Sequence, residues 1–89
     1  MAELRRQIDG IDEQLLELLA KRMRISREIG VYKKEHNMPI LQSPRYSEIL
    51  EKRSNMGEQM DLSTDFVKEI LKEIHEESVR QQMIIMNEQ

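Results

Sequence analysis

The sequence contains no cysteine and no tryptophan. Without cysteine the chain can form neither disulfide bonds nor a thiolate nucleophile or metal ligand. The two histidines, His36 and His75, are isolated from each other and lack the spacing of metal ligands. The sequence therefore predicts neither a metal site nor covalent catalysis by a thiol.

Long apolar segments and a basic excess are missing as well. No apolar run reaches about 18 residues, the length of a membrane-spanning helix, and the N-terminal residues lack the apolar stretch of a signal peptide. The net charge is -3, whereas a nucleic-acid partner calls for a clustered basic face. We expect a cytoplasmic protein with no membrane or nucleic-acid partner.

The chain is also short of large side chains and of helix breakers. Its 89 residues make one domain, and they include only one Phe and two Tyr, so a compact globule would have little to bury. Glycine and proline together number five, and the apolar residues fall at helical intervals, which argues against disorder. An elongated chain or one completed by a partner is expected.

The apolar pattern at the N-terminal end predicts one long helix. Apolar residues alternate steps of three and four from Leu4 onward, and the pattern predicts a helix over about 2–36. It should end where Asn37 tolerates left-handed backbone and Pro39 forbids continuation. Such a helix spans about 50 Å, longer than a compact domain of this size. It therefore needs a partner along its length.

Two further helices are predicted, and no strand. The second is expected over about 44–56, because the Ser-Pro pair at 43–44 is typical of a helix start and Gly57 of the position just past a helix end. The third is expected over about 64–86, with Ser63 as its N-cap. The fold class is therefore all-α.

Polar residues interrupt the apolar stripe of the long helix. Arg22 stands where the pattern requires an apolar residue, and Lys33, eleven residues later, returns to nearly the same face. Between them lie the small residues Ser26 and Gly30. The two cations are about 16 Å apart at the backbone, with a shallow recess between them. This arrangement fits a small dianion.

The third helix shows the same interruption. Its apolar stripe gives way to Ser78 and Gln82, and the second helix adds Arg45 and Tyr46 near its start. Buried polar groups without partners cost about 1–3 kcal/mol each, so these side chains either bond to each other or meet a ligand. The alternative is that they lie at a stripe edge and reach water. His75, beside the stripe, is interpreted as a satisfied or exposed imidazole rather than a base.

Arg5 lies too far from Arg22 to share a ligand with it within one chain. It precedes Arg22 by 17 residues, about 25 Å along a helix. It could serve the equivalent site of a second chain packed antiparallel, in a two-fold dimer that also buries the apolar stripes. The alternative is an exposed N-terminal arginine.

Together, six segments of the sequence resemble the all-helical (AroQ-type) chorismate mutases. They are Leu4–Asp12, Leu15–Arg22, Glu28–Lys33, Pro39–Ile40, Arg45 and Glu77–Gln82. The resemblance implies an intertwined homodimer of three-helix chains that rearranges chorismate to prephenate in phenylalanine and tyrosine biosynthesis. In this unimolecular reaction one C–O bond breaks while a C–C bond forms, so no cofactor, nucleophile or acid-base pair is implied.

The resemblance also implies how the two carboxylates of chorismate are bound. Arg22 and Arg5 of the partner subunit would bind them, Ser78 would hold a carboxylate, and Arg45 would add positive charge near the entrance.

The resemblance assigns the remaining polar positions to the ether oxygen and the ring hydroxyl. Lys33 and Gln82 would bracket the ether oxygen. The family's common pattern has acids near the start of the second helix that help to hold the ring hydroxyl, where this sequence has Gln42 and Tyr46. An amide and a phenol can also bond a hydroxyl, so activity is expected.

Two other functions stay open at this point. One is an isochorismate pyruvate lyase, which uses a similar cationic pocket. The other is a non-catalytic dimerisation or regulatory module of a larger enzyme; some relatives are fused to DAHP synthase, so a fused or associated DAHP synthase is one expected partner. The joint presence of Arg22, Lys33, Ser78 and Gln82 favours catalysis, because a mere dimer would be more stable with apolar residues there.

Overall fold

The chain folds into three helices. The computed structural model describes residues 1–41 and 43–88, without the side chains of residues 43 and 44. This part of the chain contains no strand, and its helices are α1 (Ala2–Glu35), α2 (Ser43–Gln59) and α3 (Thr64–Met86). The predicted all-α, three-helix fold is therefore confirmed. Among the helices described, none combines the length and apolar character needed to cross a membrane.

Helix α1 stops where its last turn meets a left-handed residue. Asn37 has a φ of 54°, and the backbone N–H of Met38 donates to the carbonyl of Lys33 at 2.8 Å. This bond satisfies one of the carbonyls that a helix leaves unpaired at its C-terminus. Pro39 then prevents the helix from continuing. The chain is thereby turned away just beyond Lys33.

Helix α2 does not stop before Gly57, and the prediction that it ends near residue 56 is wrong. The helix continues to Gln59, and the left-handed residue beyond it is Asp61, with a φ of 62°. Gly57 is buried inside the helix, where an added Cβ would lie 2.6 Å from Cγ2 of Val67. The glycine is therefore required by the close approach of α2 to α3, which a local rule for helix ends does not detect.

Helix α3 is central, because it packs against both α1 and α2. Its start is fixed by Ser63, whose hydroxyl accepts a hydrogen bond from the backbone N–H of Phe66 at 3.4 Å, as an N-cap does. Gly30 of α1 lets α3 approach closely, since an added Cβ there would lie 3.1 Å from Cα of Gln82. The recess expected between the two cations of α1 is therefore filled by side chains of α3.

The folded chain is a thin plate with an exposed apolar edge. Its principal dimensions are 52 × 26 × 14 Å, so its thickness is little more than one helix diameter. Among the side chains that the structure describes, no apolar one is buried. Exposure of apolar side chains is clearest in the N-terminal half of α1, where Leu4, Ile8, Ile11 and Leu15 are each more than half exposed. One chain therefore leaves many of its large apolar side chains exposed.

Candidate active site

A small cavity lies between the three helices and the loop that follows α1. Its volume is about 120 Å³. Apolar side chains, among them Ile49, Leu71 and Val79, form part of its wall. The charged and polar residues that line it are Arg22 and Lys33 of α1, Arg45, Tyr46 and Arg53 of α2, and His75, Ser78 and Gln82 of α3.

One polar contact between α1 and α3 centres on Ser78. Nη1 of Arg22 donates to the Ser78 hydroxyl at 2.7 Å, and the Ser26 hydroxyl donates to the same oxygen at 3.0 Å. Ser26 and Ser78 are buried. Because two hydrogen bonds from α1 converge on one buried oxygen, the guanidinium of Arg22 is held at the cavity wall and does not extend into solvent.

A second polar contact joins Lys33 to Gln82. The ammonium of Lys33 donates to Oε1 of the buried Gln82 at 3.0 Å and to the backbone carbonyl of Ile40 at 2.8 Å. A lysine can only donate, so it faces the oxygen of the amide and leaves the N–H₂ group on the other branch. Lys33 therefore sets the orientation of Gln82.

The cavity is strongly cationic although the chain as a whole is acidic. Four cations line it, and no Asp or Glu occurs among its described lining residues. Burial lowers the pKa of Lys33. Burial, and then repulsion from Arg53, lower the pKa of Arg22. Each charged form is therefore less favourable in the cavity than in water, and an anion bound between the cations would relieve this cost.

The geometry suits a small dicarboxylate, and comparison with known proteins gives the family. The family model for "Chorismate mutase type II" matches residues 4–83. The chain belongs to the type II chorismate mutases. It is 33% identical to a T-protein of Enterobacter agglomerans over 88% of its own length and 21% of that protein. It is also 33% identical to a bifunctional chorismate mutase/prephenate dehydratase of Buchnera aphidicola over 98% of its own length and 23% of that protein.

A third relative is more similar over a shorter stretch. A bifunctional chorismate mutase/prephenate dehydratase of Aquifex aeolicus is 44% identical over 58% of this chain. The chain spans about a fifth of the length of the first two curated relatives. Prephenate dehydratase appears in the names of two of these relatives; a DAHP synthase partner stays a prediction for this chorismate mutase family member.

Six of the predicted site residues line one cavity in this member of the type II chorismate mutase family, and Arg5 does not. Arg22, Lys33, Arg45, Tyr46, Ser78 and Gln82 are all at its wall. Arg5 is exposed and does not line it, as its position toward the far end of α1 requires. Gln42 lies outside the described residues. Over the residues described, no three His, Asp or Glu side chains converge in a way that could hold a metal ion.

Two of the charged and polar lining residues were not predicted as site residues. Arg53 lies seven positions after Tyr46 and four after Ile49, which places it on the same face of α2. His75 stacks on Tyr46, with ring centroids 3.8 Å apart and an angle of 19° between the planes. Helical spacing puts Arg53 on the same face as Tyr46 but does not mark it as a site residue, whereas the His75 stack joins two helices and has no signal in the sequence.

Proposed function

We propose that this chain is a chorismate mutase that rearranges chorismate to prephenate in phenylalanine and tyrosine biosynthesis. The observation that carries the proposal is the contact of Lys33 with Gln82 at 3.0 Å, inside a cavity lined by further cations. Membership of the type II chorismate mutase family supports it. The reaction needs no acid, base or nucleophile, so these side chains would promote it by holding the substrate and by stabilising developing charge.

The cations would hold the substrate in its reactive geometry. Arg22, fixed by Ser78 at 2.7 Å, would bind one carboxylate in a charge-assisted pair, and the Ser78 hydroxyl would add a hydrogen bond. Arg45 at the wall would draw the second carboxylate in. Clamping both ends of the molecule keeps the enolpyruvyl arm folded over the ring. This removes much of the entropic cost of reaching the transition state.

Lys33 and Gln82 would stabilise the charge that develops as the C–O bond breaks. Negative charge grows on the ether oxygen, and the Lys33 ammonium and the Gln82 N–H₂ group are both donors. Their interaction with this oxygen strengthens toward the transition state, which is the condition for raising kcat rather than only improving binding. The two donors are already in place because they bond to each other.

We also propose that the working unit is a homodimer. The plate is only 14 Å thick, and Leu4, Ile8, Ile11 and Leu15 are 52–59% exposed along one face of α1. A second copy packed on this face would bury the stripe, and a two-fold arrangement is the commonest one for a small oligomer. It would also carry Arg5 of the partner subunit to a cavity that Arg5 cannot reach within its own chain.

The proposed dimer predicts that two inactive variants rescue each other. Arg5→Ala and Arg22→Ala should each lower kcat/KM by at least about tenfold, because each removes a carboxylate ligand. When the two are unfolded together and refolded at equal amounts, mixed dimers regain one complete site. About a quarter of wild-type activity should then return, since random pairing makes half the dimers mixed with one working site in each.

This rescue distinguishes a shared site from a self-contained one. The matched control is Arg6→Ala, because Arg6 is exposed and pairs with Glu3 at 2.7 Å on the surface. Arg6→Ala should be as active as wild type by itself. Refolded with Arg22→Ala at equal amounts, it should give about half of wild-type activity, from its own homodimers and from the one working site in each mixed dimer. A mixture of Arg5→Ala and Arg22→Ala no more active than its components would contradict the crossed arrangement.

The proposed activity is tested by incubating the purified chain with chorismate and, separately, with isochorismate. Loss of chorismate with formation of prephenate is the expected result. Release of pyruvate from isochorismate alone would favour the lyase, and inertness toward both would favour a non-catalytic module of a larger enzyme. The cytoplasmic location stays a prediction.

A further inference from the structure

The described polar groups of the cavity are rich in donors and poor in free acceptors. Arginine and lysine only donate hydrogen bonds. The Ser78 oxygen already accepts from Arg22 and Ser26, and Oε1 of Gln82 and the carbonyl of Ile40 accept from Lys33. A carboxylate suits such a cavity, but a ligand hydroxyl also needs an acceptor for its hydrogen bond, which the Tyr46 oxygen and a ring nitrogen of His75 can provide.

His75 has the position and the surroundings of such an acceptor. It lines the cavity, is half-buried, and is fixed by its stack on Tyr46 at 3.8 Å. Burial lowers its pKa most, followed by repulsion from Arg22, while Glu76 on its own helix opposes and Lys33 adds to the lowering. The cations Arg45 and Arg53 of α2 line the same cavity.

These surroundings keep the imidazole neutral near pH 7. A neutral imidazole has one ring nitrogen with a free lone pair, whereas the protonated ring has none. The other ring nitrogen carries a proton and can donate to a different partner. His75 is therefore an acceptor in an otherwise donor-rich wall.

We propose that His75, held in place by Tyr46, accepts the hydrogen bond of the ring hydroxyl of the substrate and so orients the ring. The inference rests on the proposed function and adds a positioning residue to it. It also gives a physical role to the stacked pair: Tyr46 fixes the plane of the imidazole, and the imidazole supplies the lone pair.

The proposal has a definite pH signature. Protonation of His75 would replace the acceptor by a donor, so kcat/KM for chorismate should fall as the pH drops below 6.5, the ordinary histidine value from which this pKa is lowered. The carboxylates of a substrate titrate well below this range. If His75 instead acted as one more cation for them, kcat/KM would rise over the same interval.

The test compares pH profiles of wild type, His75→Asn and His75→Leu between about pH 5 and 8. The asparagine carbonyl accepts a hydrogen bond but does not titrate, so this variant should keep activity within about tenfold and lose the acid-side fall. The leucine variant should lose about 5- to 100-fold in kcat/KM near pH 7.5, because the hydroxyl is left without its acceptor. Circular dichroism melting would show that both variants fold.

The chain offers a matched control in its other histidine. His36 stacks on Tyr32, with centroids 4.0 Å apart, but it is exposed and lies outside the cavity. His36→Asn should reproduce the wild-type profile. A wild-type profile that is flat or rises toward acid, or a leucine variant as active as wild type, would overturn the role of His75. A wild type that does not turn over chorismate at pH 7.5 would instead refute the proposed function.

Discussion

Replacing Lys33 with alanine should lower kcat for chorismate rearrangement by about 10²–10³-fold, the cost of losing one donor to a developing oxyanion. Two effects combine in this variant. The ether oxygen loses the ammonium that stabilises its charge, and Gln82 loses the donor that orients its amide at 3.0 Å. Because both interactions strengthen in the transition state, KM should change less than kcat. Steady-state kinetics with chorismate measure the two constants.

The adjacent lysine is the matched control. The ammonium of Lys34 donates to the backbone carbonyl of Ile85 at 3.2 Å and to that of Glu88, near the C-terminal end of α3. It does not line the cavity. Lys34→Ala should therefore lower the melting temperature while kcat stays within a few-fold of wild type. A Lys33→Ala enzyme with near-normal kcat would show that Lys33 does not act on the ether oxygen.

Replacing Gln82 with glutamate should make activity conditional on acid pH. An ionised carboxylate at this buried position would face the ether oxygen with an acceptor and a negative charge, whereas a protonated carboxyl could donate to it. Burial raises the pKa of such a group, and Lys33 beside it lowers the pKa. At pH 7.5 we expect activity at least about 100-fold below wild type, and the ratio of variant to wild type should rise as the pH falls. Measuring this ratio at each pH separates the effect from any titration of wild type.

The same charge change one residue away provides the comparison. Gln81 bonds to Arg27 at 3.2 Å and to Glu77 at 2.8 Å, and it does not line the cavity. Gln81→Glu should leave the pH profile unchanged. If the Gln82→Glu to wild-type ratio were independent of pH, Gln82 would be a packing residue rather than a donor to the substrate.

Regular helical periodicity explains how much of the site could be predicted. The sequence predicts Arg22 and Lys33 on one face of α1, and Ser78 and Gln82 on one face of α3, because these polar residues interrupt the apolar stripes. The structure brings the two faces into contact through the bonds of Arg22 to Ser78 and of Lys33 to Gln82. The helical period and the polarity of these four residues are enough to predict which of them share a helix face, because the helices are long and uninterrupted.

Interactions between helices explain what could not be predicted. Gly57 fits the local rule for a helix end, but its position is decided by Val67 on another helix. In the sequence His75 is an ordinary histidine beside an apolar stripe, and its role in the cavity becomes visible only through its stack on Tyr46 of another helix. Neither partner can be identified from spacing within one helix, because each contact depends on how α2 packs on α3.

The close contact at Gly30 means that a position beside the cavity can be intolerant of change although it bears no functional group. Any larger residue would push the backbone of Gln82 outward, since even a methyl carbon would stand 3.1 Å from its Cα, and the amide would be displaced with it. A mutational screen scored by turnover alone would rank Gly30 beside Lys33. Natural variation at this glycine would then reflect the spacing between two backbones, not the chemistry of the substrate.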